Sequence, residues 1–137
     1  MIDLPTLRSW IEALGYDVTP EGARALRIRP QAAEEGAEGK PAALPPFFAE
    51  LSENWLLLSM LPMLGRGSYR ADDLGRRLLA RNREMRLAKF ALDKDGAVVL
   101  CAELPTESLD ASEVADAVRR MTAYARRFLA DVSPRRT

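Results

Sequence analysis

The chain has 137 residues, of which 47% are hydrophobic and 29% are charged, and its 20 Lys and Arg balance its 20 Asp and Glu. A chain of this size and composition is typical of one globular domain that folds without disulfides or metals. Zero net charge argues against a general nucleic-acid binder and against electrostatic docking to an anionic membrane.

The residues that usually carry catalysis are scarce. The chain has no histidine, so no Ser-His or Cys-His pair is possible, and Cys101 lies mid-strand, where a structural thiol is expected. Asp72 and Asp73 are adjacent on a predicted helix and point in different directions. Asp93 and Asp95 lack the rest of a calcium loop. We therefore predict a protein that is not an enzyme and has no cofactor or metal, with catalysis by carboxylates and arginines alone as a minor alternative.

The first third of the chain predicts one helix and one strand. Apolar residues at helical spacing over 4–14, followed by Gly15, predict helix one. Residues 23–29 alternate arginine with apolar residues and predict a half-exposed strand. Residues 32–46 lack periodicity and are rich in Ala, Glu, Gly and Pro, which predicts a mobile loop.

The middle of the chain predicts two strands and a helix. Residues 47–51 and 54–63 read as strands, and the second is apolar on both faces, which favours a central, buried position. Pro62 cannot donate to a ladder, so this strand should end near it. After a turn at 65–67, helical spacing of Leu74, Leu78 and Leu79 predicts helix two over 70–82.

Residues 86–104 predict a β-hairpin. Lys94-Asp95-Gly96 fits a three-residue loop with Gly96 in the left-handed conformation. That loop fixes a register with an apolar face, in which the facing pairs are Phe90 and Leu100, Leu92 and Val98, and Ala88 and Ala102. Lys89 should then lie beside Cys101 on the other face.

Helix three follows the hairpin. Asp110 and Glu113 form a capping box, and apolar residues recur at helical spacing to about Asp131, before a tail at 133–137 that we expect to be disordered. The predicted order is α-β-β-β-α-β-β-α. This is a single α+β domain over residues 1–132, with a five-stranded, largely antiparallel sheet packed with three helices.

Three segments resemble the YbjN family, which shares the type III secretion chaperone-like fold. They are W-L-L-L-S-M-L-P (55–62), residues 82–93 with K-F-A-L-D, and V-V-L-C-A-E-L-P (98–105), and with helix three the resemblance covers roughly residues 50–130. It implies a small, cytoplasmic bacterial protein that works by binding, often as a homodimer. Secretion chaperones of this fold hold extended client segments, and YbjN proteins are described as regulators. This chain departs from the chaperones in being neutral rather than acidic.

A surplus of apolar residues predicts where a protein partner binds. Three helices must cover a central strand that is apolar on both faces, and any uncovered face becomes an interface. We predict capture of a partner or client segment on an apolar sheet or helix face, or at a sheet edge, through Phe47, Phe48, Trp55, Leu57, Met60 and Met63. Leu74, Leu78 and Leu79 are candidates for a homodimer interface. Burial of both sheet faces within the domain is the alternative.

Clustered arginines leave a second function open. We expect Arg24, Arg27 and Arg29 to line one face of a predicted strand, and Arg76, Arg77, Arg81 and Arg83 to line helix two. A regulatory protein linked to single-stranded nucleic acid is therefore the alternative, although the zero net charge and the few aromatic residues disfavour it. The lone cysteine, the lack of a leader-like segment and the short apolar runs predict a cytoplasmic protein with no membrane span.

Overall fold

The computed structural model describes residues 2–30, 44–64 and 71–132. Its helices are α1 (Leu4–Glu12), α2 (Ala71–Glu84) and α3 (Ala111–Val132), and its strands are β1 (Tyr16–Glu21), β2 (Ala25–Pro30), β3 (Phe47–Leu51), β4 (Trp55–Leu64), β5 (Ala88–Leu92) and β6 (Val98–Pro105). The strands form a sheet in the order β1-β2-β3-β4-β6-β5, and every neighbouring pair is antiparallel.

The predicted α+β class and its three helices are confirmed within the described residues, but the sheet there has six strands rather than five. The strand missed in the sequence is β1, an edge strand that pairs with β2. Only Val18 of the six residues of β1 is buried, and the strand contains Pro20. Its sequence therefore shows neither the alternation nor the composition of a strand.

The central strand β4 also runs further than predicted, to Leu64 instead of ending near Pro62. Its pairing with β6 shifts register between Met60 and Leu64. Such an irregularity lets a proline sit within a paired strand, because the missing amide hydrogen falls outside the regular ladder.

The predicted hairpin register is confirmed pair by pair between β5 and β6. Gly96 has φ 85°, the left-handed conformation that the loop requires. The Asp93 carboxylate accepts hydrogen bonds from the backbone N–H groups of Asp95 and Ala97, at 2.8 and 2.9 Å. This short aspartate-centred turn sets which face of the hairpin meets the core.

Side-chain carboxylates cap the N-termini of α1 and α3. Asp3 accepts from the Thr6 N–H at the start of α1. At the start of α3, Asp110 accepts from the Glu113 N–H at 2.9 Å, and Glu113 accepts from the Asp110 N–H at 3.2 Å, which confirms the predicted capping box.

The core lies on one face of the sheet. A row of facing residues crosses five strands through Ile28, Phe47, Met60, Leu100 and Phe90, and all of them belong to the buried cluster. Each helix contributes to the same cluster, with Leu7 and Ile11 from α1, Leu74 and Leu78 from α2, and Val114, Val118 and Met121 from α3. The helices therefore pack on one side, and the other side of the sheet carries no helix among the described residues.

Several predictions concern chain outside the described residues. The expected mobile loop at 32–46 overlaps the described chain only at 44–46, and the turn at 65–67 and the tail at 133–137 lie wholly outside it. These, like the single domain over 1–132, stay predictions.

Candidate partner-binding surface

Strand alternation defines a second surface, which we call the open face: the strand side chains that point away from the helices. Antiparallel register places two cross-strand rows on it. One row consists of Thr19, Arg27, Phe48, Ser59, Cys101 and Lys89, and the next consists of Glu21, Ala25, Glu50, Leu57 and Glu103. Trp55 and Pro105 face each other where β4 begins and β6 ends.

Three large apolar side chains of β3 and β4 are accessible on the open face. Trp55 is 49% exposed. Phe48 and Leu57 are half-buried, whereas Leu56 and Leu58, which alternate with them on β4, are fully buried in the core. Strand β4 is therefore apolar on both faces, but only one of these faces fills the core. The other is partly exposed to solvent at Trp55 and Leu57.

The structure separates the residues predicted to contact a partner. Phe48, Trp55 and Leu57 lie on the open face, but Phe47 and Met60 are 0% exposed and face each other beneath the helices. A surface role for Phe47 and Met60 does not fit this arrangement, because neighbouring residues on a strand point to opposite faces. Met63 lies in β4, and its side chain is outside the described part of the structure.

The residues predicted for a dimer interface divide in the same way. Leu74 and Leu78 are buried against the core, whereas Leu79 is 71% exposed. Residues four apart share a helix face, and their neighbour points elsewhere. Of this set, Leu79 alone is available to another molecule.

Arg27 lies beside the accessible apolar side chains of the open face, next to Phe48, and part of its guanidinium is unpaired. Its Cζ is 5.9 Å from the centroid of the Phe48 ring, a cation–π distance. Its Nε is enclosed and has no hydrogen-bond partner. Within the described residues no carboxylate lies in ion-pair range of Arg27, whereas Lys89 on the same face is 3.5 Å from Glu103. Sequence reasoning noted Arg27 as basic but did not place it with Phe48.

Cys101 occupies the open face beside Lys89 and is buried. Burial raises the pKa of the Cys101 thiol, and the nearby Lys89 ammonium only partly opposes that shift. The thiol therefore stays protonated at neutral pH, as expected for the structural thiol that the sequence predicted.

Both edges of the sheet are covered at specific points by helix side chains. The Asn82 amide of α2 accepts from the Phe90 N–H at 2.6 Å and donates to the Phe90 carbonyl at 3.1 Å, so it occupies both outward backbone groups of that β5 residue. At the other edge Arg8 donates to the Val18 carbonyl of β1 at 3.0 Å, and Pro20 has no N–H to offer. Nothing in the local sequence around Asn82 signals this role.

A depression adjoins the open face where β4 begins and β6 ends. It has a volume of about 400 Å³ and is lined by Asn54, Trp55, Pro105, Thr106 and Glu107. Trp55 thus borders both the depression and the sheet surface.

Other kinds of site are not seen in the described chain. No group of three or more His, Cys, Asp or Glu there is placed to hold a metal ion. None of the described helices is long and apolar enough to cross a membrane.

Comparison with known proteins identifies relatives of this chain. Residues 47–129 match the model of the Tir chaperone protein (CesT) family. A chain of the heterodimeric complex ExoU-SpcU, from the type III secretion system of Pseudomonas aeruginosa, aligns with a TM-score of 0.58 and 23% identity over 98% of this chain and 96% of that chain. No curated protein is significantly similar to this chain.

A second solved structure has the same architecture. YbjN from E. coli, a candidate transcription regulator, aligns with a TM-score of 0.68 and 21% identity over 95% of this chain and 90% of that chain. At these identities both likenesses show a shared fold. They confirm the resemblance read from the sequence and extend it over the N-terminal third.

Proposed function

Since the chain belongs to the Tir chaperone protein (CesT) family, we propose that it is a non-catalytic, chaperone-like module that captures a segment of a partner protein on the open face of its sheet. The observation that carries this proposal is the one-sided core. All three helices cover the same face, which leaves Phe48, Leu57 and Trp55 accessible together on the other.

The energetics favour an extended apolar segment as the bound element. Fully burying a large apolar side chain contributes about 1.5–3 kcal/mol, so covering each of these partly exposed residues contributes on the order of 1 kcal/mol. Several such contacts in adjacent rows suit a chain that lies across the strands, with side chains alternating toward the sheet. A site of this kind selects shape and hydrophobicity and needs no reacting group.

The sheet edges are less suited to capture. Strand addition needs a run of free backbone donors and acceptors. At β5 the Asn82 amide occupies the backbone groups of Phe90, and β1 presents a bonded Val18 carbonyl and a proline. This favours the face over the edge among the modes that the sequence left open.

A structural relative supports a protein as the partner. The ExoU-SpcU structure is a heterodimeric complex of the type III secretion system. We infer for this chain a comparable one-to-one encounter with another polypeptide, in the cytoplasm as the sequence predicts. Homodimerisation stays a prediction, and the exposed Leu79 of α2 is its candidate contact.

The test begins with a pull-down of the tagged full-length chain from its host, read by mass spectrometry. Leu57→Glu places a charge between the accessible side chains of Phe48 and Trp55 and should abolish recovery of the specific partner. Leu92→Glu is the matched control, because Leu92 is 59% exposed and lies on the opposite side of the sheet. Equal recovery by both variants, with both folded by circular dichroism, would contradict the proposal.

A further inference from the structure

The open face has a feature that apolar capture alone does not use. Arg27 of β2 and Phe48 of β3 face each other directly in the sheet, and the guanidinium lies over the aromatic ring. The enclosed Nε of Arg27 has no partner. Within the described residues no carboxylate pairs with the guanidinium either, so its charge is left without an anionic partner next to an accessible aromatic ring.

The geometry of arginine indicates which anionic partner fits. The two terminal nitrogens of the guanidinium form a planar fork that matches the two oxygens of a carboxylate, and they belong to the accessible end of this half-buried side chain. Phe48 keeps the guanidinium in place, so less conformational freedom is lost when the anion arrives. The half-buried position of Arg27 also reduces screening by solvent.

The surrounding charges favour a single carboxylate over a polyanion. Among the described strands the cations of the open face are Arg27, Arg29 and Lys89. Its carboxylates are Asp17, Glu21, Glu50 and Glu103. Lys89 is already paired with Glu103. A nucleic-acid strand would bring repeated phosphates against these carboxylates, whereas a single carboxylate at Arg27 would meet its one matching cation.

We propose that Arg27 and Phe48 form a specificity subsite of the open face, which selects an extended partner segment that places an aspartate or glutamate beside a large apolar residue. The carboxylate binds the Arg27 fork, and the apolar side chain covers Phe48 and Leu57. This inference rests on the proposed function, and it adds the chemistry by which one segment is preferred over another of equal hydrophobicity.

The test uses a random-peptide library displayed on phage and selected on the full-length chain. Selected peptides should carry Asp or Glu at a fixed distance from a large apolar residue. Replacing that acid by its amide should weaken binding to the natural chain about tenfold, since a charge-assisted hydrogen bond is lost. The same replacement should make little difference to binding by Arg27→Gln.

Two further variants control for charge alone. Arg29→Gln removes a cation from the same strand and the same face but one without an aromatic partner, and it should keep the preference for acid over amide. Arg27→Lys keeps the charge without the planar fork and should keep only part of the preference. Loss of the preference in Arg29→Gln as in Arg27→Gln would overturn the subsite, because it would show a general charge effect.

The outcomes separate this inference from the function on which it rests. Peptides that bind the natural chain, fail on Leu57→Glu and show no preference for an acid would overturn the subsite and leave open-face capture intact. Peptides indifferent to Leu57→Glu, or no selected peptides, would overturn both. Competition by single-stranded oligonucleotides, or conversion of a dimer to a monomer by Arg27→Gln in sedimentation, would assign the face to nucleic acid or to a second copy and would also overturn it.

Discussion

Adjacent residues of one strand have different tasks in this molecule. Phe47 fills the core and Phe48 meets solvent, although the two are identical in chemistry and neighbours in sequence. Local sequence cannot distinguish them, because a long non-periodic segment separates them from the strand before and the strand after them is apolar on both faces. What distinguishes them is the pairing of Phe47 with Met60, a long-range register that no local pattern encodes.

The pair gives a stability test at residue scale. Phe47→Ala should lower the free energy of unfolding by about 3–5 kcal/mol, because it leaves a cavity in the core. Phe48→Ala should cost much less and should weaken partner binding instead. Urea denaturation measures both variants in one experiment, and a comparable loss in the two would show that the open face is covered.

The capping aspartate of α3 gives a pH test. The hydrogen bond from the Glu113 N–H, followed by that from the Ser112 hydroxyl, lowers the pKa of Asp110. A carboxyl whose pKa is lower in the folded state stabilises the fold above its unfolded pKa, and that contribution is lost as pH falls through the folded pKa. Asp110→Asn retains an oxygen acceptor without the charge, so its stability should change less in acid.

Thermal melts followed by circular dichroism between neutral pH and about pH 2 measure this difference. Asp110→Ala is the companion variant, since it removes the cap at every pH and should be less stable throughout. A natural chain and an Asp110→Asn variant that lose stability in parallel on acidification would contradict the assignment.

At the scale of elements, the sequence predicted best those elements whose structure is determined by residues close together in the chain. The β5–β6 hairpin was predicted to the residue pair, because Asp93 and Gly96 fix its turn and its alternation is complete. The capping box of α3 is equally local. Strand β1 was missed because its pairing with β2 supplies most of its order, and the extension of β4 past Pro62 depends on a register shift against a distant strand.

The edge of β5 gives a test at this scale. Asn82→Ala should remove two hydrogen bonds from the backbone of Phe90 and lower the free energy of unfolding by about 1–3 kcal/mol. It should also raise self-association, because an uncovered edge strand recruits other strands. Chemical denaturation and light scattering at increasing protein concentration measure the two effects.

Asn54→Ala is the matched control for that variant, since Asn54 is exposed and lies away from both sheet edges. Equal aggregation of the two variants would contradict a protective role for Asn82. Retention of natural stability by Asn82→Ala would show that water replaces the amide without cost.

At the scale of the whole molecule, the prediction to test is self-association. Leu79 lies on α2, on the helical side of the domain, and is 71% exposed. If copies pair there, Leu79→Glu should convert a dimer to a monomer in analytical ultracentrifugation without loss of stability. Partner capture should persist in that variant, because the open face is on the other side of the sheet. A natural chain that sediments as a monomer at all concentrations would contradict the homodimer prediction.

The strand order also dictates a sequence of events when the chain is made. β1 to β4 form a meander of sequential neighbours, but the second edge of β4 is taken by β6, which is synthesised after α2 and β5. Until Val98–Pro105 emerges from the ribosome, the apolar segment W-L-L-L-S-M-L-P-M-L presents an unpaired edge. Such distant pairing forms slowly, and bare apolar edges aggregate. Completion of the C-terminal half should therefore govern how much nascent protein reaches the folded state, and truncations just after β4 should accumulate as insoluble material.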